Sequence, residues 1–278
     1  MTGYRAQHGR ALPDAPGQDA GRALPGPDQA DARDAFLALM SHELRTPLTS
    51  TLGHLELLLD GVAGPLTPPQ AEAAHTAEAG AKRLLRLVED LLLVAGAGAG
   101  DGQLALDCGP VDLTDVAEDA AAARAEAAAR AGITLAVVAG TRTPARGDRA
   151  RLVRMVEALV CNAVGFTSSG GAVRLEARVV EGWAVIDVAD TGVGIPPAER
   201  DRVLGRFVSG SAPRLHGPQG AGLGLAVARE VARAHGGALD LVSEPGVGTT
   251  ARAAFPADGR APGTPPPLPA PLPGRTRH

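Results

Sequence analysis

Residues 171–195 read GAVRLEARVV, then Glu181-Gly182, then WAVIDVAD, then TGVGI. Two short apolar runs joined by so tight a turn read as adjacent, antiparallel strands. Similar runs lie around them: ITLAVV at 133–138, GALDLVS at 237–243 and TTARAAF at 249–255. Three segments read as helices: VDLTDVAEDAAAARAEAAARA at 111–131, DRARLVRMVEALVCNAVGF at 148–166 and GLAVAREVARAH at 224–235. Strands linked by short turns and interrupted by helices fit a mixed sheet covered by helices on one face. The expectation for 104–256 is an α+β domain, a sandwich of sheet and helices.

Upstream, the pattern changes. Leu37, Met40, Leu44, Leu48, Leu52, Leu55 and Leu59 step by three or four, the spacing of one helix stripe. DGVAGPLTPP at 60–69 breaks the helix, and a second one follows with Ala74, Ala81, Leu84, Leu85, Val88, Leu91 and Leu92. Two such helices cannot bury their apolar faces alone. Residues 34–94 are therefore expected to form a helical hairpin that pairs with a second copy into a four-helix bundle, making a homodimer. AGAGAGDGQ at 95–103 reads as a flexible linker. Residues 1–33, rich in Ala, Gly, Pro, Asp and Arg without periodicity, and the proline-rich tail 257–278 read as disordered.

Composition bounds the partners. Of 278 residues 45 % are hydrophobic and only 2 % aromatic, so Leu, Val and Ala must build the core. A net charge of −4 argues against nucleic acid as a partner. No apolar run reaches the roughly 18–20 residues of a membrane span. Cys108 and Cys161 belong to no CxxC or Cys/His cluster, so neither a disulfide framework nor structural zinc is expected, and the cytoplasm is the natural compartment.

The first helix carries FLALMSHELRTPLT at 36–49. At 100° per residue from Leu37, the apolar stripe spans about −60° to +60°, with His42 near 140°, Thr46 near 180° and Glu43 near 240°. His42 is thus expected to face solvent with a carboxylate beside it. A carboxylate that takes the proton from one ring nitrogen leaves the other free to attack. Pro47 bends or loosens the helix just beyond. A zinc HExxH motif would need histidine at Thr46. On spacing alone, a plain surface histidine is the more ordinary reading.

Three glycine-bearing loops come in order, and the first two carry a chemical reading. Asp190-Thr-Gly192-Val-Gly194 puts a carboxylate at a strand end, where it can accept an adenine amine while the glycines let a planar base approach. Gly220-Ala-Gly222-Leu223-Gly224 opens a helix, whose free N–H groups favour phosphate. Neither a Walker A loop nor a GxGxxG fingerprint is present.

FLALMSHELRTPL resembles the H-box of sensor histidine kinases. NAVGFT, DTGVGI, RVLGRF, GAGLGL and SEPGVGTT resemble, in family order, their N-box, first G-box, F-box, second G-box and closing G-box. The resemblance spans about 36–256. It implies a phosphoacceptor hairpin followed by the ATP-binding sandwich shared with gyrase, with His42 phosphorylated, Glu43 its general base and Thr46 positioning water for dephosphorylation of the response regulator. It further implies ATP at Asp190, Gly192, Gly194, Phe207, Gly220, Gly222, Leu223 and Gly224, and Mg²⁺ on Asn162, the only asparagine of the chain. Partners implied are a receiver domain and an input protein or domain.

Two positions depart from the family. Ala158 stands where Asn or Glu is usual, and Gly165 where a phosphate-pairing lysine is usual. A lysine at 165 is expected to raise rate or affinity, although Arg206 or Arg214 in the lid could compensate; no gain would mean the cation is supplied elsewhere, with Arg214 the first candidate. The departures keep open a kinase-impaired relative acting as a phosphatase or nucleotide-binding scaffold. Of the other histidines, only His216 in the lid PRLHGPQG suggests more than a surface or capping role.

Overall fold

The computed structural model describes residues 27–96, 106–138, 140–205, 208, 210–217, 222–257 and 263–267, with the side chains of 27–42, 92, 95 and 96 outside that description. Two long helices come first, α1 (Pro27–Leu59) and α2 (Pro68–Gly96). Helix α1 starts ahead of the expected boundary at 34; Pro27 at the first position and Asp28 in the first turn suit a helix start. At α2, the Thr67 N–H donates to Gln70 Oε1 (2.9 Å), a capping box just ahead of Pro68. The expectation of disorder at 1–26 and most of the linker 95–103 lie outside the described residues.

Thereafter come β1 (Gly109–Asp112), α3 (Leu113–Ala122), α4 (Ala125–Arg130), β2 (Thr134–Val137), β3 (Pro144–Gly147), α5 (Arg149–Phe166), β4 (Ala172–Val180), β5 (Trp183–Asp190), α6 (Arg200–Val203), α7 (Gly224–Ala234), β6 (Ala238–Glu244) and β7 (Gly248–Pro256). The main sheet has the order β2-β4-β5-β7-β6. Its β2–β4 pair is parallel and the others antiparallel, the mixed sheet that the sequence implies. Two features differ from expectation. Strands β1 and β3 form a separate antiparallel ribbon, and the single helix read over 111–131 is two, α3 and α4. Alanine-rich sequence favours helix throughout, so the break is tertiary: it lets α4 bury Ala128 while Arg124 reaches Glu157 on α5 (3.6 Å).

Helices α3, α5 and α7 bury Leu113, Val116, Met155, Val160, Val227 and Val231 against Leu175, Ile186, Ala253 and Phe255 on one face of the sheet. Phe255 is the largest fully buried side chain, so aliphatic residues make nearly all of this core. Leu93 and Val94, at the end of α2, join it. Beside them Asp90 accepts from Arg154 Nη2 of α5 (2.7 Å); burial raises this carboxyl above its ordinary pKa despite the guanidinium. The hairpin is thereby clasped to the sandwich.

Of the proline-rich tail 257–278, the structure describes Ala257 and residues 263–267. Residues 263–267 lie against the other face of the sheet: Pro266 is buried, and Arg252 Nη1 donates to the carbonyls of Pro266 (3.3 Å) and Pro267 (2.6 Å).

Candidate nucleotide-binding and phosphoacceptor site

A cavity of about 860 Å³ opens between the sheet's helical face, α7 and α2. Its floor is built by Asp190. Strand β5 ends there, and Asp190 Oδ1 accepts two backbone N–H bonds, from Gly192 (2.8 Å) and Thr249 (3.2 Å). Oδ2 takes no hydrogen bond among the described residues, and Asp190 lines the cavity. One oxygen fixes the carboxylate and the other remains to accept. Burial raises its pKa to about 6, the two N–H bonds notwithstanding.

The glycines around it have steric reasons. A Cβ on Gly192 would lie 2.6 Å from the Phe166 carbonyl oxygen, and Gly194, at φ 69°, would press a Cβ to 2.1 Å from the Glu244 carbonyl oxygen. Gly222 also has positive φ (70°). Helix α7 then begins at Gly224 with Leu223 as its N-cap, buried and offering no side-chain cap, so its first N–H groups keep their capacity for an anion. A Cβ on Gly224 would lie 3.3 Å from Asn162 Nδ2, which puts Asn162 of α5 beside that helix start.

Gly165 gains its explanation here. Arg214 occupies the space a side chain at 165 would fill: a Cβ there would be 2.3 Å from its Cζ. Arg214 Nη2 donates to the Cys161 carbonyl (2.6 Å), Nη1 to Asn162 Oδ1 (3.3 Å), and the guanidinium sits 5.5 Å from the Phe166 ring centroid. A guanidinium from the loop 210–217 thus stands where a side chain at 165 would project. Ala158 remains a methyl group in the cavity wall, and Glu157 is engaged by Arg124 and Arg154. His216, whose Nε2 is buried without a partner among the described residues, also lines the cavity.

Sequence reasoning missed Thr249, which acts through its backbone N–H and has no side-chain signature. Of the expected site residues, Asn162, Asp190, Gly194, Gly222, Leu223 and Gly224 line the cavity, and Gly192 holds Asp190. Phe207, Gly220 and Arg206 lie outside the described residues, as does the side chain of His42. Glu43 and Thr46, its neighbours on α1, are exposed. The far wall of the cavity is α2, through Arg83, Arg86, Leu87 and Asp90. Among the described residues no cluster of three His, Cys, Asp or Glu could hold a metal ion. Asn162 Oδ1 already accepts from Arg214 Nη1, so it suits Mg²⁺ only through its remaining lone pair and together with phosphate oxygens and water.

Fold and site define a nucleotide-binding sandwich clasped to a helical hairpin. Residues 147–259 match the family described as histidine kinase-, DNA gyrase B- and HSP90-like ATPase, and residues 32–100 match the His Kinase A (phospho-acceptor) domain. The histidine protein kinase DivJ of Caulobacter vibrioides is 35 % identical over 228 residues, covering 82 % of this chain and 38 % of that one. The phosphate regulon sensor protein PhoR of Pseudomonas aeruginosa is 35 % identical over 223 residues, covering 78 % and 48 %. Among solved structures, full-length ShkA in complex with AMPPNP is similar with a TM-score of 0.62 and 33 % identity, covering 83 % of this chain and 46 % of that one. The chain belongs to the sensor histidine kinases of two-component signalling, with a phosphoacceptor domain and an ATP-binding catalytic domain. It spans less than half the length of each of these relatives.

Proposed function

We propose that the chain is an ATP-dependent protein-histidine kinase that phosphorylates His42 and passes the phosphoryl group to an aspartate of a receiver domain. The observation that carries this reading is Asp190: one carboxylate oxygen is pinned by backbone, the other is free, and it stands in the wall of a cavity that runs to α2 of the His42 hairpin. The free oxygen accepts the adenine amine, and the uncapped start of α7 with Arg214 receives the phosphates. Glu43 takes a proton from one ring nitrogen of His42. The other nitrogen bonds to the terminal phosphorus as the bond to the bridging oxygen breaks and ADP leaves. Asn162 is the residue that would hold Mg²⁺ alongside the nucleotide, and the ion would supply charge neutralisation there. Thr46 orients water for the reverse duty, dephosphorylating the receiver.

No helix among the described residues is long and apolar enough to cross a membrane, and the cytoplasm, where ATP and receiver domains meet, is the proposed compartment. Ala158 favours a second reading, a relative biased toward phosphatase action; Arg214, filling the place at Gly165, weighs against it. Labelled ATP with Mg²⁺ distinguishes them. Acid-labile, base-stable label that vanishes in His42→Gln while nucleotide still binds supports the kinase. Label surviving that substitution would sink the assignment.

A further inference from the structure

The five-stranded sheet has helices on one face only, yet its central strand β5 is buried along its whole length. A sheet of this kind normally leaves its second face to water. Here that face carries Trp183, Val185 and Asp187 on β5 and Thr250, Arg252 and Ala254 on β7, with Val185↔Ala254 and Asp187↔Arg252 as cross-strand partners. Val185 is 0 % exposed, Thr250 1 % and Trp183 4 %, and Trp183, Val185 and Ala254 form an apolar cluster separate from the main core. Something covers them.

At Arg252 the chain itself supplies the cover. It leaves β7 at Pro256, the register partner of Trp183, and by Pro266 it is back at Arg252. Every guanidinium nitrogen of Arg252 is engaged there. Nε and Nη2 donate to the two oxygens of Asp187 (2.7 and 2.8 Å), and Nη1 donates to the carbonyls of Pro266 and Pro267. Arg178 Nη2 shares the same carboxylate at 2.7 Å, so Asp187 faces two guanidinium groups and the proline carbonyls take up the donors it cannot. Three consecutive prolines, Pro265-Pro266-Pro267, suit this contact. They favour a polyproline helix, which makes no internal hydrogen bonds and presents every carbonyl outward at low ordering cost.

We propose that this outer face of the catalytic domain is a polyproline-binding surface, and that its occupant is the chain's own C-terminal segment, held in cis. The ligand class is a proline-rich strand read by an arginine fork. Cis attachment through so short a connection gives an effective concentration in the millimolar range, so a free peptide should bind much more weakly while the tail is present.

The test uses Trp183, the only tryptophan. Three proteins are compared: the full chain, the chain ended after Ala257, and the full chain with Pro266→Gly and Pro267→Gly, which keeps both carbonyls but loosens the polyproline conformation. Acrylamide quenching of Trp183 should rise in the second and third. A fluorescent peptide of residues 258–278 should bind the shortened chain saturably, and the full chain at least about tenfold more weakly. Arg252→Lys in the shortened chain keeps a cation opposite Asp187 but loses the fork, and should weaken the peptide by about tenfold or more. Adenosine binding checks that each variant is folded. The proposal is overturned if removing the tail leaves quenching unchanged. It is equally overturned if the peptide fails to bind the folded shortened chain, or if a scrambled peptide with no adjacent prolines binds as well.

Discussion

At the scale of single residues, two side chains set testable limits on nucleotide binding. Asp190 has a pKa raised to about 6 by burial. The unfolded chain keeps the ordinary carboxyl value of about 3.9, so this group's contribution to stability is present in full below that value and lost as pH rises through 6. Binding runs the other way, because only the ionised oxygen accepts an amine hydrogen bond. Adenosine, which carries no titrating phosphate, should lose affinity as pH falls through 6, by about tenfold at pH 5 as the competent fraction drops. Asp190→Asn should bind weakly at every pH and show no such slope; a slope that persists would place the titration elsewhere. The second residue is Arg214. With its guanidinium over Gly165 and on Asn162, Arg214→Ala should weaken ATP binding or slow autophosphorylation about ten- to hundredfold, the worth of a well-formed charge-assisted contact. A lysine at 165 would press on Arg214, so Gly165→Lys alone should give no gain, whereas Gly165→Lys with Arg214→Ala should recover most of the loss. Additive losses in this double-mutant cycle would show that the two positions do not serve one charge.

At the scale of elements, legibility followed how locally each element is dictated. The five strands of the main sheet and helices α5 and α7 announce themselves by run length and period, and the structure places them where those patterns fall. Asp190 and its glycines were legible for a similar reason: a carboxylate at a strand end and residues that permit close backbone approach leave marks in sequence. The β1–β3 ribbon left none. Its strands are four residues each, and one is PARG, which no apolar alternation marks. What fixes it is non-local. Asp148, just after β3, caps α5 by accepting from Arg151 N (3.1 Å), and its own N–H donates to Nε2 of His235 at the C-terminal end of α7 (2.9 Å). Burial holds the His235 imidazole below its usual pKa, leaving Nε2 free to accept while Nδ1 donates to the Val231 carbonyl. Asp148→Ala should therefore cost the catalytic domain about 1 kcal/mol, within the 0.5–2 kcal/mol range of a lost helix cap. Thermal unfolding checks this, and an unchanged midpoint would mean that water replaces the carboxylate without loss.

At the scale of the whole molecule, the hairpin and the sandwich differ in how complete they are. The sandwich closes its core with only Leu93 and Val94 of α2 added. The hairpin does not: Leu48 and Leu52 turn toward α2, but Leu44, Leu57 and Leu84 keep 48 %, 51 % and 47 % of their surface exposed. Sequence periodicity put Leu44 on the buried stripe, and one copy of the chain leaves it half in water. A second hairpin packed against the first into a four-helix bundle is the arrangement that would cover them, at roughly 1.5–3 kcal/mol for each leucine fully buried. The chain is accordingly expected to sediment as a dimer. Leu57→Glu should shift it toward monomer, because a carboxylate forced into that seam must be desolvated without a partner. Adenosine affinity should stay as in the parent protein, since the sandwich that holds Asp190 needs no second copy. Phosphorylation of His42 in mixtures of Leu57→Glu chains then tells whether the dimer serves the transfer or only the hairpin's stability. A parent chain that stays monomeric at tens of micromolar, with those leucines still in water, would refute the bundle and leave the hairpin's apolar face to some other partner.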